Sequence, residues 1–364
     1  MGEKWREILR DSIKSIDEIR EYLALGEDEA KKIEDISEKY PICVNEYYLS
    51  LIDKNNPYDP IRKMCIPDVI ELSDGGDKDT SGEYDNTVVQ GMQHKYRQTA
   101  LILSTDKCAM YCRHCFRKRM VGVDTDEAEG NIAAMAEYVA KHTEINNVLI
   151  SGGDSFMNSA EIIGEYLEAF ADIPNIDFIR FGTRIPVVFP QRIIEDEGLL
   201  DILRKYNNRK QIIIVTQFNH PKELTEEAMK AIRLLRDTGC IIRNQTVLLK
   251  GVNDDAQVLS SLMNGLVSYG IIPYYIFQCR PVEGVKNQFQ VPFLEGIDIV
   301  EKAKSFMNGQ AKNVKFVFSH PTGKIEILGK IDNNDMLFKY HQAKYEEDQG
   351  RIFLQHVSEM QCWI

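Results

Sequence analysis

From residue 100 onward the chain alternates short apolar runs with amphipathic helical segments, and that alternation confines it to α/β folds. The runs cover residues 100–104, 147–151, 177–182, 212–216, 241–249 and 272–277. They are apolar without a two-residue period, as expected of strands covered on both faces of a parallel sheet. The helical units between them carry their own start and stop signals. Thr225 is placed to cap a helix whose buried face is Met229, Ile232 and Leu235, and Gly239 closes it before the next strand. A second helix, marked by Leu259, Leu262 and Leu266, ends at Gly270. Six strand–helix units in series predict a curved parallel sheet or partial barrel, with a doubly wound sheet as the alternative.

A seventh extended run, 314–319, leads into His320-Pro-Thr-Gly-Lys324. Ahead of the array, residues 3–53 read as helices with an apolar stripe of Ile8, Leu9, Ile13, Ile16, Ile19 and Leu23. Residues 73–84 are polar and rich in Gly and Asp, a loop or linker. The expected division is 1–90, an N-terminal helical region and linker; 91–310, the strand–helix array; and 311–364, a C-terminal segment. Little can be read from the mixed tail beyond residue 325.

With 364 residues the chain can bury a large core, and its net charge of −12 argues against a general nucleic-acid or anionic-membrane binder. One basic run, 113–119, stands out against that background. No apolar run is long enough to span a bilayer, and the start lacks the apolar core of a signal peptide, so a cytoplasmic protein is expected. Five of the cysteines (Cys43, Cys65, Cys240, Cys279 and Cys362) are scattered singly, unlike the framework of a small secreted domain.

The other three are clustered in Cys108-Ala-Met-Tyr-Cys112-Arg-His-Cys115-Phe-Arg117-Lys-Arg. This loop follows the first strand of the array, at the strand end where parallel α/β folds collect ligands. Three thiolates at this spacing can hold three corners of a four-iron cluster and leave one iron open to a small molecule. Zinc with His114 as fourth ligand is the first alternative, but His114 sits between Arg113 and Cys115, a poor place from which to reach the same ion. A redox pair of Cys112 and Cys115 is the second, and it leaves Cys108 unexplained.

The Cys-x3-Cys-x2-Cys pattern resembles that of radical SAM enzymes, and the longer string resembles the lysine 2,3-aminomutase family. The resemblance continues through Ser151-Gly-Gly-Asp154, Gly182-Thr-Arg184-Ile-Pro-Val-Val, Phe218-Asn-His220-Pro, Asn244-Gln245-Thr-Val-Leu-Leu and Pro273-Tyr-Tyr-Ile-Phe-Gln278-Cys279, over roughly residues 55 to 330. It implies a partial (β/α)6 barrel and an intramolecular amino-group migration from C2 to C3 of an amino acid. It also implies a 4Fe–4S cluster on Cys108, Cys112 and Cys115, S-adenosyl-L-methionine (SAM) beside Gly152, Gly153 and Asp154, and pyridoxal 5′-phosphate (PLP) attached to a lysine. By position that lysine is Lys324, with Lys95 where the family has a phosphate-binding arginine and Thr99 in place of a second one. Arg184 becomes a cofactor or substrate contact, and Arg117 the holder of the substrate α-carboxylate. Lys118 and Arg119 read as solvated charges. The implied partners are a small amino acid and an electron donor such as flavodoxin or ferredoxin, with homo-oligomer formation left open.

The chain departs from the lysine-specific pattern at the substrate end. Two family carboxylates that hold a terminal ammonium correspond to Arg280 and Ser319, and glutamate-acting members also place a basic residue at the first position. An acidic substrate such as glutamate is therefore expected, unless Arg280 pairs with nearby Glu283 and never meets the ligand. The alternative is that Lys324 ends a plain surface turn, leaving a SAM-cleaving enzyme without PLP that acts on a peptide or other metabolite. The family's C-terminal zinc-binding cysteines are not reproduced by the lone Cys362.

Overall fold

The computed structural model describes residues 4–123 and 125–364. Among these residues twelve strands form one sheet whose spatial order is the order of the chain. They are β1 (Thr87–Val89), β2 (Met92–Tyr96), β3 (Thr99–Leu103), β4 (Asn147–Ser151), β5 (Phe178–Gly182), β6 (Gln211–Thr216), β7 (Ile241–Leu248), β8 (Ile272–Gln278), β9 (Lys315–His320), β10 (Gly323–Lys330), β11 (Asp335–Ala343) and β12 (Ile352–His356). The six expected runs are β3 to β8, all parallel, and the run 314–319 joins them as a seventh parallel strand, β9. Antiparallel ribbons extend both sides: β1–β2 before β3, and β10–β12 after β9. The end strands β1 and β12 are not paired with each other, so this mixed sheet is open.

The register decides where the loops go. Leu103 lies opposite Ser151, Gly182 opposite Val215, Thr216 opposite Asn244 and Leu248 opposite Gln278. The carboxyl ends of β3 to β6 therefore stop level with one another, while β7 and β8 run on past Asn244 to end together at Leu248 and Gln278, and the segments that follow the strands share one rim. The connecting helices keep to their sequence signals. Thr225 Oγ1 accepts from the Ala228 amide at 3.1 Å, and Gly239 takes a left-handed φ of 87° just past the end of the helix Glu226–Asp237. Gly270, with φ 73°, does the same for Ala256–Ser268.

The N-terminal helices form as expected, at Lys4–Arg10, Ile16–Leu23, Glu27–Lys39 and Glu46–Ser50. The stretches between and after them pack on the cysteine loop: the Tyr111 amide donates to Cys43 O at 2.8 Å and the Arg113 amide to Met64 O at 2.9 Å. The C-terminal ribbon escaped the sequence pattern because its strands alternate. Ile325 and Ile327 on β10, and Met336, Phe338 and Tyr340 on β11, turn inward between less buried neighbours. No helix among the described residues is long and apolar enough to cross a membrane.

Candidate active site

The cysteine loop leaves β3 and is fastened at once to the turn after β4. Gly153 N donates to Thr105 O at 2.6 Å, and Asp154 N to Lys107 O at 2.8 Å. This close approach explains the glycine pair. A Cβ at Gly153 would run into the Lys107 carbonyl, and Gly152, at φ 121°, would meet the Thr105 carbonyl. The Asp154 carboxylate is occupied by protein: Oδ1 accepts from the Phe156 amide at 3.0 Å and from Thr183 Oγ1, and Oδ2 from the Arg184 amide at 2.6 Å. It thereby locks the end of β5 to the end of β4.

Cys108, Cys112 and Cys115 share the wall of one cavity of about 330 Å³, and the other candidate cofactor- and substrate-binding residues read from the sequence line it too. These are Lys95, Arg117, Gly152, Gly153, Asp154, Arg184, Arg280, Ser319 and Lys324. Burial pushes the Cys108 thiol well above its usual range and Cys115 up to about 11, so thiolates there need a cation beside them. His114 does not turn to the cysteines. Its Nε2 lies 3.1 Å from Gln217 Nε2 and 3.2 Å from Asn219 Nδ2, accepting from the side-chain amides. Among the described residues no group of three or more His, Cys, Asp or Glu converges on a single ion. Ligands to separate corners of a cluster need not do so.

The basic run is not solvated, which corrects the expectation for Lys118 and Arg119. Arg113 Nε donates to Glu71 Oε1 at 2.9 Å, and Lys118 Nζ to Glu71 Oε2 at 2.7 Å. Arg117 grips Glu83 through Nε at 3.0 and 3.2 Å and Nη2 at 2.8 Å, and Arg119 Nη2 reaches the same carboxylate at 2.7 Å. Arg117 Nη1 is held more loosely, 3.4 Å from Ser151 Oγ and 3.3 Å from Gly152 O.

The far wall carries Lys324. A two-residue turn joins β9 to β10, which pairs Lys324 with Ser319 across the hairpin. Its Nζ donates to Gln342 Oε1 at 3.2 Å and lies 4.4 Å from the centre of the Tyr275 ring. Burial, and then the charges of Arg180, Arg280 and Lys95, lower its pKa to about 7. Lys95, lowered to about 7 mainly by burial, donates to the backbone oxygens of Ser81 (3.1 Å) and His320 (2.6 Å). Arg280 lies over Phe116, 4.2 Å from the ring centre, and donates to Ser81 Oγ at 2.6 Å. Glu283 pairs instead with Lys39, at 2.6 Å. None of the ion pairs among the described residues involves Lys95, Arg180, Arg280 or Lys324.

Residues 102–261 match the model of the radical SAM superfamily. An Aquifex aeolicus protein provisionally named L-lysine 2,3-aminomutase is 42% identical over 97% of this chain and 92% of its own. The L-lysine 2,3-aminomutase of Clostridium subterminale is 37% identical over 88% of this chain and 76% of its own. The glutamate 2,3-aminomutase of Clostridioides difficile is 34% identical over 85% and 72%. The chain belongs to the lysine 2,3-aminomutase family of radical SAM enzymes. It is thus an isomerase of the aminomutase type, and the superfamily works with a 4Fe–4S cluster, SAM and a reductant.

The cavity suits such polar, anionic company. Four buried polar atoms in its wall have no partner among the described residues: His114 Nδ1, Arg180 Nε, Thr216 Oγ1 and Gln278 Oε1. Arg180 was missed from the sequence, although a lone charge inside the apolar run Phe178-Ile-Arg-Phe-Gly marks it. Glu83 and Glu223 had no comparable signal. The packing of Gly153 makes a direct prediction. Gly153→Ala should cut the iron taken up in anaerobic reconstitution severalfold with the far-UV spectrum unchanged. Gly309→Ala, whose Cβ meets nothing within 4 Å, should take up iron as wild type does.

Proposed function

We propose that the protein moves an amino group from C2 to C3 of an acidic amino acid such as glutamate, using a cluster on Cys108, Cys112 and Cys115, SAM beside Gly152 and Gly153, and PLP on Lys324. One observation carries this reading: Lys95, Arg180, Arg280 and Lys324 line the cavity with no acidic partner among the described residues. Such a wall attracts phosphate and carboxylate groups and repels a second ammonium, by about 1 kcal/mol or more at close range. When bound, the cofactors supply a 5′-deoxyadenosyl radical that takes a hydrogen from substrate C3 and a carbonyl that carries the migrating nitrogen.

The chain's own part is to bind, orient and exclude water. Arg117, with Nε and Nη2 fixed by Glu83, offers its loosely held Nη1 to the α-carboxylate. Arg280 and Ser81 take the side-chain carboxylate, and Ser319, across the hairpin from Lys324, leaves room for it where the lysine-specific pattern has an acid. Lys324, partly neutral near pH 7, is a competent nucleophile without a separate base. Lys95 and Arg180 suit a phosphate. Residues from β2 through β11 line the one cavity, which supports a sheet curled round it as a partial barrel built mainly on the segment 91–310, with 311–364 contributing Lys324. A flavodoxin or ferredoxin suits the electron supply.

Reconstitution without oxygen, with SAM and with or without PLP, against a panel of amino acids, tests the whole reading. Cys108→Ala, Cys112→Ala and Cys115→Ala should each abolish reductive SAM cleavage, and Cys65→Ala should not. Undiminished cleavage in any of the three removes the cluster assignment. PLP followed by borohydride should label the peptide containing Lys324. An amine must lose its proton to react, so labelling should rise with pH to a half-point near 7 and then level off, well below the 10.5 of a free lysine. A label elsewhere, or no saturable PLP binding, would point to a radical SAM enzyme without PLP.

The substrate claim has its own check. A carboxylate on a shielded guanidinium is worth about 1.5–3 kcal/mol. Arg280→Gln should therefore raise the KM for glutamate about tenfold or more, while uncoupled SAM cleavage changes little. Good turnover of lysine and none of any acid by the wild-type enzyme would exclude the acidic substrate and leave the aminomutase chemistry standing.

A further inference from the structure

Arg184 leaves the end of β5, is 8 % exposed, and has all three nitrogens of its guanidinium engaged. Nε donates to Gln217 O at 3.1 Å. Nη1 donates to the sulfur of Cys112 at 2.9 Å. Nη2 donates to Glu223 Oε1 and approaches Tyr48 OH at 3.3 Å. Glu223, fully buried, also receives Tyr48 OH at 2.7 Å and the amides of Asn219 (2.5 Å) and His220 (3.0 Å). Among the described residues Cys112 is the one cysteine of the three whose sulfur receives a side-chain hydrogen bond.

This geometry points to an electrostatic lever on the metal. Hydrogen bonds to ligand sulfur and nearby fixed charge are among the terms that set the potential of an iron–sulfur cluster. One-electron reduction adds negative charge to the cluster, and a guanidinium on a ligand sulfur favours that form. A buried carboxylate behind the guanidinium opposes it. We propose that Arg184, braced by Glu223 and Tyr48, is a positioning residue that sets the reduction potential of the cluster through the Cys112 sulfur. The proposal rests on the assignment of Cys108, Cys112 and Cys115 as cluster ligands.

The two charges act with opposite signs, and this separates the proposal from a role in packing alone. The protein is reconstituted anaerobically with iron and sulfide, without SAM, and titrated with a low-potential reductant while the reduced cluster is followed by electron paramagnetic resonance. Glu223→Gln should raise the midpoint and Arg184→Gln should lower it. Each shift should correspond to about a tenfold change in the ratio of reduced to oxidised cluster, or about 59 mV for one electron. The double variant, which leaves no unpaired buried charge, should lie between the two singles and near wild type. It also supplies the reading if a single variant fails to take up iron. Midpoints that do not move, or that move the same way in both singles, overturn the proposal. So does loss of iron in all three variants when the wild type loads, because the contact is then structural. If the wild type itself loads no cluster, or Cys112→Ala loads normally, the ligand assignment fails instead.

Discussion

Two buried carboxylates hold the cysteine loop in place. The loop brings Arg113, Arg117, Lys118 and Arg119 out of water within one short stretch, and charges so removed need partners. Glu71 pairs with the first and third, and Glu83 with the second and fourth, Arg119 also reaching Glu127. Burial alone would raise the Glu83 carboxyl, but the Arg117 and Arg119 guanidiniums overturn that and hold it at about 2. Losing one member of such a set leaves a bare charge in the interior, typically a loss of about 3–5 kcal/mol. The segment 68–86, which includes the polar passage 73–84, therefore works as a strap. It supplies the anions that allow a strongly basic loop to sit under the cavity.

That arrangement gives the site its electrical character. Cations with partners, such as Arg117 and Arg184, are fixed in direction and hold the loop and the rim. Cations with no acidic partner among the described residues, Lys95, Arg180, Arg280 and Lys324, bias the far wall towards positive charge. Family membership settles the type of reaction, and this second group carries the argument about the ligand. The names of the relatives divide between lysine and glutamate.

Much of this was legible in the sequence. Apolar runs without alternation gave β3 to β8 almost residue for residue, and the caps at Thr225 and Gly239 are local chemistry that the fold does not override. The trio of cysteines stands out by its own spacing, whereas Gly152 and Gly153 were singled out through the family resemblance and their tether to the loop was not foreseen. What failed to show was pairing between distant segments. Lys118 and Arg119 look solvated because their partners Glu71, Glu83 and Glu127 lie elsewhere in the chain, and a charge run carries no mark of the carboxylates that will cover it. Arg280 offered two partners of equal standing, and only the position of Lys39 beside Glu283 separates them. β10 to β12 were missed because half of each strand faces outward.

The sheet is written in chain order from β1 to β12, with each strand pairing to its predecessor and its successor. No strand has to wait for a later one to fill a gap between itself and its predecessor. A chain emerging from the ribosome can therefore lay the sheet down from one edge, as expected when synthesis and folding proceed from the N-terminus. The three cysteines and the rim from β4 to β6 that surrounds them belong to the early part of that growth, and Lys324 to the late part. The half of the cavity that carries the cysteines can take shape while Lys324 is still being made.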